Sequence, residues 1–434
     1  MGGALAHPAS ETVTASIHLS IAGGVYAFTI KRMKNRRAML WLLLVSGLVI
    51  SLSMGMRQSM GLFLGPLTAE LGISAAAFSF SLALQNIVWG ASQPVVGALA
   101  DRYGARPVVF GTGLIYALGL VMMTLSRGAA GLDIAGFLCG IGIAGTGFGV
   151  LIGVVARASP PEKRIQRVGL VAATGSLGTV VLAPFAQWLT AGWGWKAAML
   201  GFVVIAGITA LLSLLIKESP GEGETGRKHQ NLGEALREAG RHRGFLQMSV
   251  AYFACGFQLI FITTHLPRYL EVCGMAPSVG AQALGLIGLC NTIGTYIFGH
   301  LGARYSQKKL LALIYGTRTA IICVFLAVPV SPTSALVFAA AMGFLWLGVA
   351  PLVSGVIGRM FGLAHFNTLY GLMFFSHQLG SFAGAWMGGL AYTLTGSYTV
   401  AWGALIAIGI MAFTLQWTAD DRPAEALARP ALQT

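Results

Sequence analysis

Charge is what this chain has least of. Only 10% of its 434 residues are Asp, Glu, Lys or Arg, while 56% are hydrophobic and the mean hydropathy is +0.74. That leaves too little polar surface to cover a soluble globule, so the composition excludes a water-soluble enzyme or binding module. Acids are scarcer still, 14 against 28 Lys and Arg. They form no cluster with histidines or cysteines that would suggest a metal or an intramembrane catalytic constellation, and no metal or cofactor is expected. Cysteine is equally sparse. Cys139, Cys255, Cys273, Cys290 and Cys323 lie in or at the ends of apolar segments without paired spacing, which indicates helix packing rather than disulfides or zinc. Residues 1–30 have no Lys or Arg ahead of their short apolar stretch, Leu19 to Ile30, which argues against a secretory signal peptide. The strict alternation of barrel strands is also absent.

What the chain does have is apolar length. A helix needs roughly 20 residues to cross ~30 Å of hydrocarbon. Twelve stretches qualify: residues 38–66, 75–100, 107–126, 131–157, 168–190, 195–216, 245–269, 278–302, 309–330, 333–358, 366–392 and 397–417. The expected fold is an all-α integral membrane protein. Basic residues in short loops are retained on the cytoplasmic side. With the N-terminus inside, 23 of the 28 Lys and Arg fall in cytoplasmic segments. The expected location is therefore a cytoplasmic (inner) membrane, multi-pass, with both termini in the cytoplasm. The formal net charge of +14 reflects this topology rather than nucleic acid binding.

The one long polar segment, KESPGEGETGRKHQNLGEALREAGRHRG, separates six helices from six and predicts a short surface helix over residues 231–241. At a single offset of 202, Gly97 matches Gly299, Arg102 matches Arg304, Tyr103 matches Tyr305, Arg157 matches Arg359, Gly169 matches Gly371 and Gly178 matches Gly380. Two six-helix bundles related by pseudo-two-fold symmetry follow, with a site between them. The chain then divides into an N-terminal tail, 1–37 (with Met33 an alternative start), a first bundle, 38–216, a central loop, 217–244, a second bundle, 245–417, and a C-terminal tail, 418–434.

The most specific motif is GALADRYGAR, residues 97–106, echoed as GHLGARYSQK, residues 299–308. It resembles the signature loop of the major facilitator superfamily, and the resemblance in helix count, duplication and loop position covers residues 38–417. It implies that Asp101, with the basic neighbours Arg102, Arg106, Arg157, Arg304 and Arg359, latches the cytoplasmic side when the carrier opens outward. The bare physics agrees, since an acid at a helix end can pair with Arg157 and face a helix N-terminus. In the second copy Ala303 replaces the acid, so the latch is expected to be asymmetric. The GIGIAG run at 140–145 matches a dinucleotide fingerprint but lacks its strand and helix context, and reads as close helix packing.

Arg57 stands alone in the run Ala38 to Leu67, where an arginine at a helix centre costs about 2.5–3.5 kcal/mol, so it reads as part of a substrate pathway. The segments around it, GMRQSMGLFLGPLTAELGIS, with THLPRYL (264–270) and FFSHQLGSF (374–382), resemble the bacterial branch related to monocarboxylate carriers and oxalate:formate exchangers. The resemblance implies a basic residue at Arg57 meeting the substrate carboxylate, which a planar guanidinium suits. Where the animal carriers have an aspartate and an arginine on helix 8, this chain has Asn291 and Thr295. His265 and His377 are the substitutes for proton coupling, histidine being the side chain whose charge changes near neutral pH. Gln85, Asn86, Gln258, Tyr370 and Gln378 complete the candidate substrate contacts. Gln258 sits at the pseudo-symmetric place of Arg57 by an offset of 201. Arg318 reads as packing or lipid headgroup contact.

The expected activity is alternating-access transport of a small organic anion, a monocarboxylate, by a monomer, with a proton or a counter-anion. An efflux carrier for apolar or cationic compounds stands as the alternative, weakened by the lack of an acid deep in a helix. A transporter-like sensor would call for a soluble signalling domain, for which neither tail nor the central loop has the length.

Overall fold

The computed structural model describes residues 37–216, 232–361 and 366–423. Twelve long helices run through them: α1 (Arg37–Leu71), α2 (Ala75–Tyr103), α3 (Ala105–Leu125), α4 (Ala129–Arg157), α5 (Pro161–Trp193), α6 (Trp195–Ser213), α7 (Arg243–Val272), α8 (Pro277–Arg304), α9 (Gln307–Ala327), α10 (Pro332–Phe361), α11 (Phe366–Thr395) and α12 (Thr399–Thr418). Ten are long and apolar enough to span a membrane; α2 and α11 are as long but more polar. A short helix, Leu232–Arg241, precedes α7 as the polar segment predicts. Most helices overrun the apolar stretches read from sequence, α5 by several residues at each end. Backbone hydrogen bonding continues past the edge of the apolar run, and α5 stops at Gly194 (φ 83°).

Three helices are interrupted. The continuous turn of α1 ends at residue 58 and tightens into a 3-10 turn, Met60–Phe63. Gly147 breaks α4, and residues 345–348 break α10.

The duplication is visible in contacts as well as in sequence. Gly178 of α5 lies on the Ser51 carbonyl of α1, and Gly380 of α11 lies on the Phe253 carbonyl of α7, both too close for a β-carbon. Arg106 at the start of α3 donates to the Ile216 carbonyl at 3.1 and 3.2 Å. Lys308 at the start of α9 donates to the Ala419 carbonyl at 2.8 Å. Each pair repeats the other at an offset of 202 or 203. In this register the counterpart of Arg57 is Leu259, one position from Gln258.

The two halves meet through α2 on α11, α5 on α8, and the 3-10 turn of α1 on α7. These contacts begin on the side away from the termini, where the Ala76 N–H donates to Thr393 Oγ1 at 3.0 Å. Gly389 packs there on Ser79, and Gly61 packs on the Thr264 carbonyl. Toward the termini side the same helix faces stand apart. A β-carbon added at Gly97, Gly169, Gly299 or Gly371 would meet nothing within 4 Å. The molecule is therefore closed on the far side and splayed on the termini side.

Candidate functional site

Where α1 tightens, Gly61 lets α7 come close enough to bring Thr263 and Thr264 beside Arg57. A 3-10 turn within a longer helix often marks a functional hinge. The Arg57 guanidinium lies 4.8 Å from the centre of the Trp89 ring, a cation–π distance. Its Nη2 donates to Asn86 Oδ1 at 2.5 Å. The Asn86 amide is held in that sense because its Nδ2 donates to the Leu82 carbonyl of its own helix at 2.7 Å. The second half clamps the same residue, Gln378 Nε2 donating to the Asn86 backbone oxygen at 2.8 Å.

Arg57, Gln85 and Asn86 line a recess together with Thr263 and Thr264. Met60, Leu82 and Ile260 supply its apolar wall, and its space is about that of one water molecule. Two buried donors there have no partner, Arg57 Nε and Gln85 Nε2. Among the described residues Arg57 has no carboxylate partner, the ion pairs all lying elsewhere. Burying a cation and leaving donors unmet is costly, so the arrangement is incomplete without an acceptor from outside.

A line of rings leads from this recess into the second half. Trp89 meets Phe374 edge-on at 5.4 Å, Phe374 stacks on His377 at 6.0 Å, and His377 lies 4.9 Å from Tyr252. His377 is buried, its Nδ1 facing Gln378 Oε1 at 3.1 Å and Ser381 Oγ at 3.4 Å. Tyr370 shares hydrogen bonds with Tyr252 and Ser354.

The remaining candidates lie apart. Gln258 faces α12, donating to the Leu405 carbonyl at 3.3 Å. His265 is enclosed near the far side by the Ala385 carbonyl (2.7 Å) and Tyr398 OH (3.4 Å). Asn291 spends its amide on protein: Nδ2 donates to Ser176 Oγ of α5 at 2.5 Å, and Oδ1 accepts from the Leu347 N–H at 2.8 Å and from Thr295 at 3.0 Å. Arg318 is fully buried rather than at a headgroup. Its Nη2 donates to the carbonyls of Leu345 (2.6 Å) and Trp346 where α10 breaks, and its Nη1 lies 3.4 Å from Cys255 Sγ. Carbonyl oxygens at a helix C-terminus carry partial negative charge, which explains a guanidinium there without any acid.

Sequence reasoning missed Trp89, Phe374, Gly61 and the two threonines. Trp89 had a signal, for it stands three and four residues after Asn86 and Gln85 and so shares their face of α2. Gly61 and the threonines had none, because only the docking of α1 on α7 brings them in.

A family model, the Major Facilitator Superfamily, matches residues 43–385. The chain belongs to the Major Facilitator Superfamily. It is a multi-pass membrane transporter and not an enzyme. Bovine monocarboxylate transporter 13 is 26% identical over 380 residues, covering 85% of this chain and 87% of that one. Human monocarboxylate transporter 11 is 28% identical over 399 residues (85% and 81%). The oxalate:formate antiporter of Oxalobacter formigenes is 24% identical over 356 residues (80% and 83%). The fold also matches a solved bacterial homologue of the human lysosomal transporter Spinster, inward-facing and unoccupied. Its TM-score is 0.69 at 16% identity, over 89% of this chain and 98% of that one.

Of the superfamily's signature loop, Arg102 is exposed and lies over Tyr103 at 5.2 Å, and Arg106 holds the end of α6. Asp101 ends α2 with its side chain outside the described residues. Arg157 and Arg304 are exposed at the ends of α4 and α8, and Arg359 pairs with Asp421 at 3.1 Å.

Proposed function

We propose that this transporter carries a small organic anion, a monocarboxylate, by alternating access, with a proton or in exchange for a second anion. The observation that carries this reading is the unfinished coordination around Arg57. Its Nη2 is spent on Asn86, whereas its Nε and the neighbouring Gln85 Nε2 are buried donors that a carboxylate can complete. The lining of Met60, Leu82 and Ile260 is apolar and offers no second cation for a distal charge, and the recess must widen to admit a carboxylate with its hydrocarbon tail. Relatives named for monocarboxylates and for oxalate:formate exchange support a small carboxylate, and those named for monocarboxylates support the narrower class. Because the recess is walled from both halves, a bound anion draws α1 and α2 toward α7, and separation of the halves releases it.

In this reading the termini side is cytoplasmic, as the distribution of Lys and Arg predicts, in an inner membrane. The Asp101 group with Arg157 then serves as its latch when the splayed side closes. His377, linked to the recess through Gln378 and Phe374, is the histidine assigned to proton coupling.

The test is uptake of labelled lactate, pyruvate and a panel of mono- and dicarboxylates into proteoliposomes, with and without an inward proton gradient. Uptake by the wild type that is lost in Arg57→Gln is the expected result, and dependence on the gradient separates symport from exchange. Normal uptake by Arg57→Gln, or movement of cations only, would overturn the carboxylate assignment in favour of efflux.

A further inference from the structure

In the first repeat the signature loop carries Asp101; at the same place in the second stands Ala303. The basic residues that surround the motif survive the duplication, Arg106 recurring as Lys308 and Arg157 as Arg359. Two cations at the termini end of the second half have thus lost the acid their arrangement implies.

A different acid reaches them from the tail. Lys308 holds the Ala419 carbonyl just past α12, at 2.8 Å. From there the tail runs back over the start of α7, the Asp420 carbonyl lying on Gly244 and the Arg422 carbonyl accepting from His242 Nε2 at 3.1 Å. This path sets Asp421 between the two cations, 3.1 Å from Arg359 and 3.7 Å from Lys308, with a fifth of its side chain exposed. We propose that Asp421, which at the offset of 203 repeats Glu218 of the first half, clamps the termini ends of α7, α9, α10 and α12 where position 303 has no acid, so that the second half moves as one body.

The neighbouring acid provides an internal control. Asp420 turns the other way and is spent locally, its carboxylate receiving Arg422 Nε at 2.9 Å and Nη2 at 2.6 Å. Those bonds from Arg422 hold its carboxyl down at about 2. Two adjacent aspartates therefore have separable roles, and sequence order alone does not tell which is the clamp.

The experiment is hydrogen–deuterium exchange of the full-length protein in detergent, read on the peptide covering residues 419–423, for Asp421→Asn, Arg359→Gln, Asp420→Asn and the exchanged pair Asp421→Arg with Arg359→Asp. Loss of the clamp is expected to speed exchange of that peptide about tenfold in Asp421→Asn and Arg359→Gln, about 1.4 kcal/mol of local opening. The exchanged pair is expected to recover most of it, and Asp420→Asn to change it less than threefold. Wild-type exchange in Asp421→Asn, or an equal acceleration in Asp420→Asn, would overturn the proposal, as would an exchanged pair that stays as loose as the single variants. No substrate enters the measurement, so its outcome is independent of the carboxylate assignment at Arg57.

Discussion

Tyr116 and Arg318 stand 202 residues apart, one on α3 and the other on α9. Tyr116 reaches the Ser53 carbonyl at 3.5 Å, while Ser53 is bonded to Thr146 beside the break in α4 at 2.7 Å. Arg318 reaches Cys255, the counterpart of Ser53, and the break in α10. The two halves thus solve one packing problem with a phenol and with a guanidinium. Arg57 is a cation of the other kind. It sits where helices of both halves converge and touches one side-chain amide and one ring; both arginines keep a buried Nε unmet, so their neighbours and not a spare donor tell them apart. An intramembrane arginine is thus not one signal but two. A cation capping carbonyls of its own half is architecture, and a cation facing the seam beside a recess is a site.

The comparison breaks most visibly at Arg318. Replacing it with Met removes the donors to two buried carbonyls, at about 1–3 kcal/mol for each orphaned group. Thermal unfolding in detergent is expected to drop steeply, with poor recovery of monodisperse protein. An unchanged melting temperature would mean that the α10 break needs no cap. The opposite balance is expected at Arg57. Arg57→Gln should lower uptake at least about tenfold, or ~1.4 kcal/mol, while leaving the melting temperature at or above wild type, since a cation in an apolar setting is removed. Gln85→Leu is the milder form of the same test, expected to raise the KM for uptake about tenfold through loss of one hydrogen bond to the carboxylate, for which the usual range starts at about 1.5 kcal/mol.

Asn291 joins the two categories, because its amide ties the α10 break to Ser176 across the seam. Asn291→Ala should cost about 1–3 kcal/mol of stability by orphaning the Leu347 N–H. Ser176→Ala, which removes only the bond across the seam, should cost less in the same melting assay. The smallest effect is expected from pH at the tail. Asp420 is depressed by Arg422, so its contribution is complete above the ordinary carboxylate value, about 3.9, and fades only as pH falls through about 2. Exchange of residues 419–423 corrected for intrinsic rate should therefore stay level from pH 8 down to 5; a loosening within that window would point to a different titrating group.

Much of this was legible in the residues. The twelve apolar runs, the polar divide before α7 and the RY repeat at 103 and 305 predict the helices and their duplication. Arg57 is picked out by its isolated charge and by the resemblance, Gln85 and Asn86 by their polarity in an apolar helix, and the three share the recess. Gln258 and His265 were marked by the same reasoning and lie against α12 and in an aromatic cluster near the far side. A polar side chain in an apolar helix announces that it needs a partner, but not whether the partner is a ligand or a neighbouring helix. The clamp at Asp421 was hidden for a similar reason, since Ala303 reads as a lost acid until the tail is seen to return.

Helix number, duplication and membrane residence follow from the order of residues, because hydropathy, charge bias and repeat spacing are properties of a stretch of chain. The role of each buried cation is decided by packing, because the direction a side chain faces depends on helices hundreds of residues away. Arg57 and Arg318 are the same residue in similarly apolar runs, and the docking of α1 on α7 and of α9 on the broken α10 is what makes one a binding group and the other a cap.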